Sequence, residues 1–235
     1  MQKKSYTAGI VLAIIVVAFL ALLGVNLMNK HQNQVNYDDY DLSGYIGPNE
    51  FNGEIGDNVK GDKDKAKVYV VEYADFQCPG CAGLNAYVNK IPASFDDKVA
   101  VIYRNFIMDY HQNGTAAASA AEAAGLQGYW KAFGDLLFSN QADWQYADVD
   151  ERTELFVSYF NTASGNKGDV DKFKSDMNSK EVQKKLKFDQ DIANKIDVPG
   201  TPSLYLNGER LDYSSTKTEE EFLKFFHEKI DPLLK

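Results

Sequence analysis

The chain of 235 residues contains only two cysteines, held two positions apart in Cys78-Pro79-Gly80-Cys81. Such a pair admits redox exchange, half of a metal site, or a structural disulfide. Zinc takes four ligands, and the three histidines, His31, His111 and His227, are single and widely scattered, so no metal is expected. A structural disulfide closing so short a loop removes little entropy from the unfolded chain. Redox exchange is the chemistry that remains, and the cysteine pair then serves as its own cofactor. A chain that avoids other cysteines also suits an oxidising compartment.

The flanking sequence predicts how the pair is held. Residues 67–74 are dense in β-branched and aromatic side chains, reading as a buried central strand that runs straight into Cys78. Residues 82–90 carry helix formers, with Leu84 and Val88 at helical spacing and Pro92 marking the end. Pro79 suits the first helical position, where its missing N–H is not required. Cys78 then occupies the cap, its sulfur facing unpaired N–H groups and the positive end of the helix dipole, which favours a thiolate. Cys78 is thus the expected exposed nucleophile and Cys81, one turn on, the buried resolving thiol.

Residues 99–107 read as a second strand, completing a strand-helix-strand unit of an α/β sheet. From Gly114 to about Ile196 the pattern is helical, with candidates at 115–124, 129–138, 149–160 and 181–196. Asn207-Gly208 between 203–206 and 209–211 predicts a hairpin with a type I′ turn, and residues 218–229 a final helix. The formal charge of −9 and pI near 4.9 exclude a broad phosphate-binding face, so no nucleic-acid partner is expected. Lys184-Lys185-Leu186-Lys187 reads as a solvated helix face. His111 reads as a helix-start or surface residue, Asp75 as a cap or solvent-facing group, and Trp130 and Trp144 as core.

At the amino terminus no charge occurs between Ser5 and Asn29. Residues 8–28 are expected to form a single transmembrane anchor. Lys3 and Lys4 keep residues 1–7 cytoplasmic by the positive-inside rule, placing the rest outside the plasma membrane. A cleaved signal peptide is the competing reading. Residues 29–65, rich in Gly, Asn and Asp, read as an extracytoplasmic tether, and 66–235 as the folded domain.

Val71 to Cys81, together with Val198-Pro199-Gly200-Thr201-Pro202-Ser203, resembles the DsbA-like branch of the thioredoxin superfamily over roughly residues 60–235. The resemblance implies a thioredoxin fold with a helical insertion at about 111–197 and a cis-proline loop facing the cysteines. It makes Pro202 the cis-proline and Thr201 a backbone docking point for an extended substrate. Pro79 and Gly80 become the dipeptide that tunes the redox potential. Glu72, a charged group in an apolar strand, matches a buried acid beneath the cysteines. Desolvation should raise its pKa and let it exchange a proton with Cys81; a strand-edge or salt-bridged glutamate is the alternative.

The implied activity is an oxidase that donates its disulfide to cysteine-containing secreted or surface proteins. A membrane quinone oxidoreductase of the DsbB or vitamin K epoxide reductase type would regenerate it. Gly80, lacking the histidine of some strongly oxidising relatives, keeps a reductase or isomerase open. A non-catalytic peptide-binding module is the reading from another class.

Overall fold

The computed structural model describes residues 11–21, 36–49 and 51–235. The chain divides into two units, Met1–Asp39 and Tyr40–Lys235. In the first, residues 11–21 form helix α1 with its aliphatic side chains exposed, and Tyr37–Asp39 makes one 3₁₀ turn. The expected membrane span extends beyond the described residues at both ends. Among the described residues no helix is long and apolar enough to cross a membrane.

The second unit is built on a five-stranded sheet of order β1-β3-β2-β4-β5. Its strands are β1 (Asn58–Lys60), β2 (Val68–Ala74), β3 (Val99–Asn105), β4 (Ser203–Leu206) and β5 (Glu209–Arg210). The central pair, β2 and β3, is parallel with Val68 opposite Val99 and Ala74 opposite Asn105. β1 and β4 flank this pair antiparallel. Every residue of β3 is buried, as a near-continuous apolar run requires of a strand covered on both faces. Helix α2 (Pro79–Val88) and the short α3 (Ile91–Ser94) connect the parallel strands.

Between β3 and β4 lies a helical block: α4 (Gly114–Gly125), α5 (Trp130–Ser139), α6 (Gln141–Trp144), α7 (Val149–Ser164), α8 (Val170–Asp176) and α9 (Lys180–Lys195). Alanines of α4 allow close packing against Tyr103, Trp130, Phe133 and Phe160 in one core cluster. Trp144 is fully buried there. The hairpin appears with Asn207 and Gly208 at φ 51° and 80°. Helix α10 (Glu219–Ile230) begins with a capping box in which Thr218 and Glu221 satisfy each other's backbone N–H groups. Its Phe222, Phe226 and Ile230 pack with Val70, Val101 and Leu204 of the sheet.

Two sequence expectations are corrected. Residues 40–65 belong to the folded unit rather than to a tether. Ile46 and Ile55 are buried, and Arg104 donates to the carbonyls of Leu42 and Gly44 at 2.6 and 2.8 Å. This segment is irregular because side chains, not a repeating backbone ladder, satisfy its polar groups. Lys185 does not lie on a solvated face either. It is fully buried on α9, with its Nζ 3.0 Å from Asp57 and 2.6 Å from Asp189, while Arg104 binds Asp57 at 2.8 Å. Spacing along α9 explains the error, since Lys185 shares the inward stripe of Val182, Phe188, Asp189 and Ile192.

Candidate redox site

β2 delivers the chain to the amino end of α2, where Cys78 is the N-cap in extended conformation and Pro79 the first helical residue. The turn is fixed before the helix starts. Asp75 O accepts from Cys78 N at 3.0 Å, and the buried Asp75 carboxylate accepts from Gln77 N at 2.8 Å and Met108 N at 2.9 Å. His111 Nδ1 also lies 2.7 Å from that carboxylate. Asp75 is therefore a buried turn anchor rather than a solvent-facing group, and His111 is held against it instead of lying on open surface.

Cys78 retains 9% exposure and Cys81 none, and the two sulfurs are unbonded. The Cys78 thiol is lowered to about 5, chiefly by a hydrogen bond from the Cys81 thiol. Burial opposes this, while the Thr201 hydroxyl and the backbone N–H groups of Cys81 and Gly80 add to the lowering. Burial pushes Cys81 the other way, reinforced by the bond to Cys78 and by the charges of Cys78 and Glu72. The pair thus holds one thiolate and one thiol at neutral pH, the arrangement a nucleophile and its resolving partner need.

The Thr201–Pro202 peptide bond is cis and lies opposite the pair. In its thiol form Cys78 Sγ donates to Thr201 O at 3.3 Å. Tyr213 OH donates to Pro202 O at 3.1 Å and Ser203 Oγ to Gly200 O at 2.8 Å, bracing the loop. A Cβ at Gly80 would stand 3.1 Å from Pro202 Cδ and 3.7 Å from Cys78 Sγ. Glycine therefore leaves the gap between the cysteine turn and the proline loop open.

Glu72 is fully buried and its Oε2 is 2.9 Å from Lys60 Nζ, which also donates to Asn85 Oδ1 at 3.0 Å. Asn85 in turn donates to Asp135 on α5 at 3.0 Å. The sequence reading found Glu72 but not its counter-ion, because Lys60 fell in a segment without periodicity. Gln141 was missed as well. From α6 its Nε2 donates to the carbonyls of Phe76 and Cys78 at 2.7 and 3.1 Å, tying the helical block to the cysteine turn. Tyr213 and Gln141 carry no motif that could have marked them. Among the described residues no His, Cys, Asp and Glu cluster could hold a metal ion.

A five-stranded sheet with a cysteine pair at a helix amino terminus and a cis-proline loop opposite defines a thioredoxin-fold dithiol protein. The chain belongs to the thioredoxin family, whose model matches residues 55–227. The protein described as probable disulfide bond formation protein D of Bacillus cereus is 29% identical over 214 residues, covering 88% of this chain and 90% of that protein. The Na(+)/H(+) antiporter NhaA 1 of Mycolicibacterium gilvum is 31% identical over 157 residues, covering 66% of this chain. The chain spans 24% of that antiporter's length. Among solved structures, BdbD from Bacillus subtilis aligns with a TM-score of 0.61 at 21% identity over 81% of this chain and 97% of that one. Wolbachia pipientis alpha-DsbA1 aligns with a TM-score of 0.56 at 26% identity over 75% and 90%.

Proposed function

We propose that this chain is a thiol-disulfide oxidoreductase working as an oxidase outside the plasma membrane, held there by residues 8–28. The observation that carries the reading is the Cys78 sulfur, favoured as thiolate, beside a buried Cys81 thiol and facing the Thr201–Pro202 loop. A substrate thiolate attacks Cys78 of the disulfide form; the bonding electron pair leaves on Cys81, which takes up a proton. A second substrate thiolate then attacks the substrate sulfur of the mixed disulfide, and Cys78 departs as thiolate. A stabilised leaving thiolate favours release of the reduced enzyme, and so favours the oxidase direction. The kinship with the Bacillus cereus protein supports the same class of reaction.

Cysteine-containing secreted or surface proteins are the proposed substrates, and a DsbB-like or VKOR-like membrane quinone oxidoreductase the proposed regenerating partner. The uncharged stretch from Ser5 to Asn29 behind Lys3 and Lys4 supports the anchor. Transport is not part of the proposal, since the shared region is a minor part of the antiporters. A reductase or isomerase is the second reading, favoured by Gly80, which supplies no side chain to the thiolate. Equilibration with glutathione separates the two. The oxidase reading expects a potential well above the roughly −270 mV of thioredoxin, and a value near that figure would reverse the direction. Cys78→Ser is expected to abolish oxidative refolding of a reduced secreted protein; retained activity would leave only a peptide-binding module.

A further inference from the structure

Asp75 ends the approach to the cysteine pair, and its polar atoms are bonded from two sides. Its carbonyl accepts from Cys78 N at 3.0 Å, closing the turn that makes Cys78 the N-cap of α2, and Oδ1 accepts from Gln77 N at 2.8 Å within the same turn. Oδ2 meets the loop between β3 and α4, where Met108 N at 2.9 Å and His111 Nδ1 at 2.7 Å converge on it. The same loop grips the next side chain, since Asn113 N donates to Gln77 Oε1 at 2.7 Å. A Cβ at Gly114, the first residue of α4, would stand 3.1 Å from Oδ1 and 3.3 Å from Oδ2, so glycine there leaves the carboxylate its room. The Asp75 side chain is fully enclosed, and the imidazole is 11% exposed with Tyr110 edge-on at 4.6 Å between centroids. Asp109 and Lys187 line the cleft beside the ring, but Lys187 is paired with Asp191 and neither bonds the imidazole among the described residues. A carboxylate can only accept, so a neutral ring bonds it with the proton on Nδ1.

We propose that His111 is a positioning residue for the redox pair: its Nδ1–H, donated to Asp75, holds the turn from Asp75 to Cys78 and so fixes the Cys78 sulfur at the start of α2. This rests on the oxidoreductase reading and deepens it by naming a residue that sets the poise of the pair. His111 acts through a continuous chain of contacts, from imidazole to carboxylate and from the Asp75 carbonyl to Cys78 N. The cap position places the sulfur at the positive end of α2, beside N–H groups that stabilise its anion. Hydrogen bonds weaken steeply once alignment is lost, so that stabilisation depends on the turn. Without the imidazole donor, Gln77 N and Met108 N still hold the carboxylate, and the turn loosens rather than opens. A looser turn leaves the Cys78 thiolate less stable, the reduced form less favoured and the disulfide a weaker oxidant.

The test compares His111→Leu and His111→Asn with the parent in the full chain, each shown to be folded by urea denaturation. Leucine fills the space without a donor, whereas asparagine carries an amide N–H at the same distance from the backbone as Nδ1. For His111→Leu, the thiolate absorbance of Cys78 should titrate about half a unit higher. Its equilibrium with glutathione should move roughly threefold toward the disulfide, the same change read a second way. His111→Asn should return both readings most of the way to the parent's. A folded His111→Leu with the parent's midpoint and equilibrium constant would reduce His111 to a packing role and overturn the proposal. An asparagine variant no closer to the parent than leucine overturns it too, because donation is then not the cause. Should His111→Leu not fold, long-range proton-nitrogen spectra of the parent decide: the neutral ring is expected to be protonated on Nδ1, and the Nε2 tautomer overturns the proposal. A parent that leaves a reduced dithiol peptide unoxidised fails the functional reading instead, and the midpoints still decide the role of His111.

Discussion

Cys78 shows how few contacts separate two chemically identical thiols. The Cys81 thiol, the Thr201 hydroxyl and two backbone N–H groups all favour its anion, whereas Cys81 sits in apolar surroundings next to negative charge. Thiolate absorbance of the reduced protein should titrate with a midpoint near about 5. Thr201→Val should raise that midpoint, because it removes the hydroxyl and keeps the backbone. A midpoint unchanged by this substitution would assign the lowering to the Cys81 thiol and the backbone N–H groups without Thr201. The depressed pKa also stabilises the reduced form: the effect is complete above 9.0, falls as pH decreases and is lost through about 5. After solvent screening at the open edge of the site, it should be on the order of 2 kcal/mol at pH 7, read as the stability difference between reduced parent and Cys78→Ser.

Short elements hold this chemistry in place. β1 contributes three residues, one of which, Lys60, neutralises Glu72 inside the core. Lys60→Met should destabilise the domain by about 3–5 kcal/mol by urea denaturation, since Glu72 is left buried and uncompensated. Lys60→Met with Glu72→Leu should recover much of that loss, and a double variant as unstable as the single would locate the cost elsewhere. α6, a single turn, reaches the cysteine loop through Gln141. Gln141→Leu strips one donor from two carbonyls and should cost about 1–3 kcal/mol while slowing exchange, measured by denaturation and peptide oxidation together.

Across the whole molecule, a buried ionic cluster joins segments distant in sequence. Asp57 precedes β1, Arg104 lies on β3, Lys185 and Asp189 on α9, and Glu122 on α4, where Asn58 and Asn105 donate to its carboxylate. A fragment beginning at residue 60 removes Asp57 and leaves Arg104 and Lys185 short of their counter-charge. It should fail to fold cooperatively by circular dichroism, while one beginning at Tyr40 should fold. Burial is the main cause that raises Glu122 to about 7 from 4.5. The folded state keeps this proton through a window in which the unfolded chain has lost it, so the carboxyl costs stability progressively from pH 4.5 to 7. Glu122→Gln should therefore gain on the parent by roughly 3 kcal/mol across that window, and a constant difference would contradict the assignment.

The sequence by itself determined the elements whose signals are local. The β-branched run into Cys78, proline at the first helical position, Asn207-Gly208 and the Thr218 cap each act through the backbone within a few residues, so they are legible without partners. Only the tertiary structure decided which charged groups go inside. Lys60, Lys185 and Asp57 look like surface residues in sequence because each is buried against a counter-charge distant in the chain, Lys60 with Glu72 12 positions away and Lys185 with Asp57 128 positions away. Residues 40–65 were illegible for the same reason, being held by side chains of β3 and α9 rather than by a repeating pattern. The chemistry of the cysteine pair was local. The Glu72–Lys60 ion pair exists only because the sheet brings β1 and β2 to either side of β3.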